Sequence, residues 1–292
     1  MNDPIPIRVL IDEAVKKTRT HFRAMFLAAA APLAALNGLV PLAQGVWMGA
    51  LMGEKVPGAA DLVTGFLALF GVLGLTLVLT ALAYGALTVT AVDAVNGREL
   101  SMKRSWLRML RPRMIGTVLL SGLAAALAAV CCVVPGIFVG LLFCLVVPVM
   151  AAEDLFGTRA MGRSAQLVRH NPQRTFATSP MFKAFLVLFV GWLIGSAVGL
   201  FVGLPVMVIQ QVLMWRGVAA GEPPDPAVLV QKMMWIQVPA NVLGSLANTA
   251  VAVYMAFALT LLYFDLRGRR EGQDLEAAID DLAGPPQGAL PE

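Results

Sequence analysis

Charge is what this sequence has least of. Only 14% of its 292 residues are Asp, Glu, Lys or Arg, against 58% hydrophobic, whereas a soluble domain carries about 25% charged residues. Too few charges remain to cover a surface facing water, which excludes a soluble globular domain. Histidine is scarcer still. His21 and His170 are the only two, and neither has a second ligand at metal-binding spacing. Cys131, Cys132 and Cys144 lie in apolar sequence, where a thiol behaves as a small hydrophobe. No disulfide framework, metal site or cofactor is expected, and no nucleic-acid partner.

The few charges are also segregated. Ala24–Gly53, Leu62–Val92, Met114–Ala152, Ala184–Trp215 and Met233–Phe264 contain no Asp, Glu, Lys, Arg or His and run 30, 31, 39, 32 and 32 residues. A membrane-spanning helix needs about 20. The third stretch would reach nearly 60 Å as one helix, at about 1.5 Å per residue. A Pro135-Gly136 pair near its middle predicts a tight hairpin instead. The expectation is an all-α polytopic membrane protein of six transmembrane helices, near 24–50, 62–92, 114–132, 136–152, 184–213 and 233–264. Together they form one domain over 1–271, followed by an acidic tail over 272–292. The first apolar run is about twice the length of a signal-peptide core, so it is expected to stay in the mature chain.

Lys and Arg number five in the first 23 residues, six in Asp93–Arg113, five in Glu153–Lys183 and three from Asp265 onward. The alternate side holds Lys55, Arg216 and Lys232. Nineteen against three predicts both termini in the cytoplasm of a bacterial inner membrane.

The spans pair as three hairpins, each preceded by a basic amphipathic segment that would lie at the cytoplasmic interface and favour anionic lipid headgroups. Ile7, Leu10, Ile11, Ala14, Thr18 and Phe22 form the first apolar stripe. Ser101 can cap the second, and the third begins at Thr158. The even spans share an exit pattern: Ala86-Leu87-Thr88, Asp93 and Arg98 recur as Ala258-Leu259-Thr260, Asp265 and Arg270, at a constant offset of 172. The fourth span leaves through Glu153-Asp154. Acids at helix C-termini oppose the macrodipole, so partners are expected among the nearby arginines of the next interfacial helix. Asp93, Glu153, Asp154, Arg159, Arg163, Asp265 and Arg270 form the candidate polar cluster.

Gly191, Gly195, Gly199 and Gly203 recur every four residues, which predicts a smooth face for close helix packing within the protomer, with self-association or pore lining as the alternatives. Pro205 is expected to bend or end that helix, and Pro148 to kink the fourth span. Asn37, Asn241 and Asn248 are the strongest polar groups inside the spans.

Pro148, Glu153-Asp154, Gly157, Ala160, Arg163-Ser164 and Leu167-Val168, with Tyr263-Phe264-Asp265-Leu266-Arg267 and Arg269-Arg270-Glu271-Gly272, resemble the membrane domain associated with bacterial glycerophosphodiester phosphodiesterases and related uncharacterised polytopic membrane proteins. In such enzymes the chemistry sits in a separate barrel of about 250 residues. The resemblance therefore implies a membrane module without esterase activity. A non-catalytic scaffold or accessory subunit, with membrane-protein partners or as a homo-oligomer, is the first expectation. A permease or lipid-handling protein is the second, and a polar-lined cavity would favour it over the scaffold. A membrane-embedded enzyme using Glu153, Asp154, Arg163 or His170 is the third.

Overall fold

The computed structural model describes residues 6–51, 58–169, 179–219 and 226–283, and among them every regular element is helical. In chain order these are α1 (Ile7–Leu51), α2 (Ala59–Val95), α3 (Met102–Met109), α4 (Pro112–Cys131), α5 (Val133–Phe143), α6 (Val146–Glu153), α7 (Thr158–Arg169), α8 (Pro180–Ala219) and α9 (Pro226–Ala283). Six segments are long and apolar enough to cross a membrane: Ile7–Gln44, Val63–Val95, Pro112–Cys131, Val133–Glu153, Pro180–Leu213 and Met234–Gly272. Their outer surface is apolar. Leu77, Val130 and Phe201 are 72%, 86% and 83% exposed, which water would not tolerate over so large an area and hydrocarbon would.

Successive spans pack in pairs, but the most extensive contact is between the first span and the last. They run antiparallel. His21 stacks on Phe257 with ring centroids 6.0 Å apart, and further along Asn37 reaches Ser245. Alanines 29 and 30 are buried on α1, and small side chains let two such backbones approach closely.

The first amphipathic segment is not a separate helix. It continues into the span as one helix, with Leu10, Ala14, Met25 and Ala29 buried in a single stripe. The sequence between them contains no glycine or proline to break it. The second and third amphipathic segments are separate, as α3 and α7. Ser101 caps α3 by accepting from the Arg104 N–H at 3.4 Å.

The long third stretch turns through one extended residue, Cys132 (φ −165°, ψ 142°). Pro135 then falls in the first turn of α5, where its missing N–H is not needed. A Cβ on Gly136 would sit 2.6 Å from the Ala129 Cα, so this hairpin closes only over glycine. Gly136→Leu is expected to cost about 1–3 kcal/mol through overpacking. Gly140→Leu, where nothing lies within 4 Å, should cost almost nothing. Thermal unfolding of both variants in detergent checks this, and equal melting would refute it.

Pro205 does not end its helix but lies inside α8, which continues to Ala219. The fourth span breaks at Cys144 and Leu145, three residues before Pro148. That placement puts Pro148 in the first turn of α6, so the break accommodates the absent N–H. The break leaves the Leu142 carbonyl without its helical partner, and the Ser164 hydroxyl of α7 donates to it at 2.6 Å.

Core packing is concentrated at one end, where the charged segments meet. Tyr263, Phe257, Met25, Leu87, Met109, Met114, Leu145 and Met150 are fully enclosed there. Along α8 the last buried residue among those described is Gly191, and beyond it the helix borders a cleft that Gln210 bridges to Gln237 of α9. The bundle is therefore tight at its charged end and splayed around this cleft at the other.

Candidate functional site

The predicted polar cluster resolves into several separate ion pairs. Gly97 adopts a positive φ of 69° and ends α2 with two backbone bonds, from its own N–H to Ala94 and from Arg98 to Asp93. This is the usual glycine exit from a helix. Asp93 then holds the Arg98 guanidinium at 3.4 Å. Asp154 is left-handed (φ 52°) at the end of α6, a conformation Asp tolerates. Arg108 of α3 reaches across to donate to its carboxylate at 2.6 Å and to the Ala151 carbonyl at 3.0 Å. A cation at a helix C-terminus satisfies those last carbonyls.

Glu153 joins a closed ring of five side chains from three helices. Arg163 of α7 donates to both its oxygens at 3.1–3.2 Å, and the Tyr263 hydroxyl of α9 donates at 2.8 Å. Arg267 donates to Tyr263 at 3.3 Å and to Glu271 at 2.6 Å. Glu271 closes the ring at 3.7 Å from Arg163. Asp265 belongs to a different group, gripped by both ends of the Arg269 guanidinium at 2.7–3.2 Å and lying 3.5 Å from Lys183 of α8. Among the described residues, the Arg270 guanidinium donates only to Gln166, at 3.4 Å. Arg159 is exposed and makes no ion pair among the described residues.

Arg108, Lys183, Tyr263, Arg267, Arg269 and Glu271 were missed as members of this cluster. Four of them had a signal. Tyr263, Arg267 and Glu271 fall four apart on one face of α9, and Asp265 and Arg269 do so on the next. His170 lies outside the described residues. Among those described, no three His, Cys, Asp or Glu side chains converge as a metal ion would require.

At the splayed end lies a cleft of about 500 Å³ between α1, α2, α8 and α9. Its lining combines amides and hydroxyls (Asn37, Thr80, Tyr84, Asn241, Ser245, Asn248 and Thr249) with apolar walls, and carries no charged side chain. Asn37 donates to Ser245 at 3.2 Å, and Gln210 to Gln237 at 3.2 Å, so both pairs tie helices across the cleft. Asn241 and Asn248 make no side-chain hydrogen bond among the described residues. The glycine stripe divides. A Cβ on Gly191 would clash with Met255, so that residue packs closely. At Gly195, Gly199 and Gly203 nothing lies within 4 Å. Gly199 and Gly203 instead form part of the cleft wall.

No protein-family model, no curated protein and no solved structure matches this chain, so its function has to be argued from these two regions and their chemistry.

Proposed function

We propose that this is a non-catalytic membrane protein that binds an uncharged, hydrogen-bonding amphiphile in the cleft between α1, α2, α8 and α9, as a lipid-handling protein or permease does. One observation carries the reading: Asn241 and Asn248 stand in the lining of a cleft among helices apolar enough to span a membrane, and their amides have no partner among the described residues. An amide left without a partner in an apolar medium costs about 2–7 kcal/mol. Water or a ligand headgroup must therefore satisfy it. The absence of charge in the lining favours a neutral headgroup, since an ion would lose its hydration without gaining a counter-charge. The apolar walls of the same cleft suit a hydrocarbon chain. These features support lipid handling over a solid scaffold.

The test is retention of lipid. Wild-type protein and Asn241→Leu/Asn248→Leu would be extracted, washed in detergent and analysed by mass spectrometry. Losing two hydrogen bonds should weaken retention of a neutral amphiphile by roughly tenfold, while melting stays near wild type because both side chains face open space. An identical lipid profile in the two proteins would remove the proposal.

The same reading places the charged end in the cytoplasm of a bacterial inner membrane, with both termini on that side. The sequence segments assigned to that side hold nineteen of the 22 Lys and Arg residues, the distribution expected of an inner leaflet. Reporters inserted at positions 57 and 224 should be periplasmic. A cytosolic signal from either would reverse the orientation.

A further inference from the structure

We propose that the groove between α7 and α9 at the charged end is a binding site for a phosphate oxyanion. Gly162, Ala165, Gln166 and Arg169 recur at helical spacing on one face of α7, and Arg270 meets them from α9. The opposite face of α7 is the buried one, through Ala160, Ser164, Leu167 and Val168.

Among the described arginines of the charged end, Arg98, Arg108, Arg163, Arg267 and Arg269 each hold a carboxylate, while several others, Arg159 among them, hold none. Arg169 and Arg270 are of the second kind, and these two line one groove, where Arg270 donates to Gln166 at 3.4 Å. The acid next to Arg270 in sequence is not free to serve it. Glu271 is turned about 100° around the helix and is held by Arg267 and Arg163. A last-turn position alone would account for Arg169, but not for a second guanidinium brought beside it from another helix.

The floor of the groove suits an anion of this size. Gly162 has nothing within 4 Å of where a Cβ would lie, although glycine inside a helix costs about 0.5–1 kcal/mol relative to alanine. That cost leaves open space where a headgroup can approach the backbone, and Gln166 adds an amide beside it. Two guanidinium forks and one amide suit the several oxygens of a phosphate better than a single point charge would. The groove also lies beyond Phe264, where the uncharged stretch of α9 ends, so a phospholipid headgroup and a soluble phosphate are both within reach.

The test uses the full chain in nanodiscs. Discs of zwitterionic phosphatidylcholine alone are titrated with inorganic phosphate, and discs with added phosphatidylglycerol are assayed for anionic lipid retained after detergent exchange. Arg169→Gln/Arg270→Gln is compared with Lys103→Gln/Arg104→Gln, which removes the same charge from exposed positions on α3. The groove variant should bind at least about tenfold more weakly than the α3 variant. That difference in the lipid arm alone identifies a headgroup site; in the phosphate arm alone, a soluble phosphate. Equal losses in both variants, or no loss in either, would overturn the site.

Discussion

Asp265→Leu should be among the most damaging single substitutions in the protein, lowering stability by about 3–5 kcal/mol. Asp265 is 9% exposed and Lys183 is 5% exposed, so both charges have been withdrawn from bulk solvent. Removing the carboxylate leaves the Lys183 ammonium and the Arg269 guanidinium near each other without the group they share. Breaking one side of a buried pair is costly for this reason, whereas removing both sides is often close to neutral. The double variant Lys183→Met/Asp265→Leu should therefore recover most of the loss. Arg269 is less buried, and its long stem allows the guanidinium to reach the headgroup region. Melting in detergent of the two single variants and the double variant gives the cycle. If Asp265→Leu melts like wild type, the pair contributes nothing to joining α8 and α9.

This pair also marks the limit of what the sequence displays. The spans are legible because hydrocarbon admits almost no charge, so the empty stretches and their lengths suffice to place them. The break near Pro135 is legible because one long stretch cannot be one helix. Partners four apart on α9 are legible from helix periodicity. Lys183 and Asp265 are not, since no local pattern links α8 to α9 at that point. The 172-residue offset even misleads. It aligns Arg98 with Arg270 as the partners of Asp93 and Asp265, but it also aligns Gly97 with Arg269. Glycine at that position ends α2, and the chain turns so that Arg98 meets Asp93. Arginine there lets α9 continue, one helical turn beyond Asp265, and Arg269 takes the carboxylate instead. Arg270 is thereby left to face α7.

The glycine stripe is only partly legible for a related reason. Four-residue spacing establishes that four glycines share a face, but not that a neighbouring helix follows that face along its length. Of the four, Gly191 alone has a neighbouring side chain against it. Beyond it the same smooth face borders the cleft, which Asn241 and Asn248 line from α9 before Gln210 and Gln237 join the two helices again.

Glu153→Ala should have the second-largest effect, about 3 kcal/mol, because one carboxylate accepts from Arg163 and Tyr263 at once. Its loss leaves a guanidinium and a phenolic O–H without an acceptor, and it frees α6 and α7 from α9 together. Tyr263→Phe alone should cost only about 1 kcal/mol, since Arg163 still holds the acid. The informative variant combines the two. Once Glu153 is gone the Tyr263 hydroxyl has lost its acceptor, so adding Tyr263→Phe should cost nothing further, giving a coupling of about 1 kcal/mol. Additive losses would mean that the two side chains act independently and that the ring is a coincidence of proximity. The ring orients α7 as well as stabilising it. Arg163 lies one residue from Gly162, so fixing that guanidinium against Glu153 and Glu271 sets the rotation of the helix. The same rotation turns Gly162, Gln166 and Arg169 toward Arg270. Phosphate binding in the α7–α9 groove should therefore weaken in Glu153→Ala even though Glu153 does not line that groove, and it should remain near wild type in Tyr263→Phe.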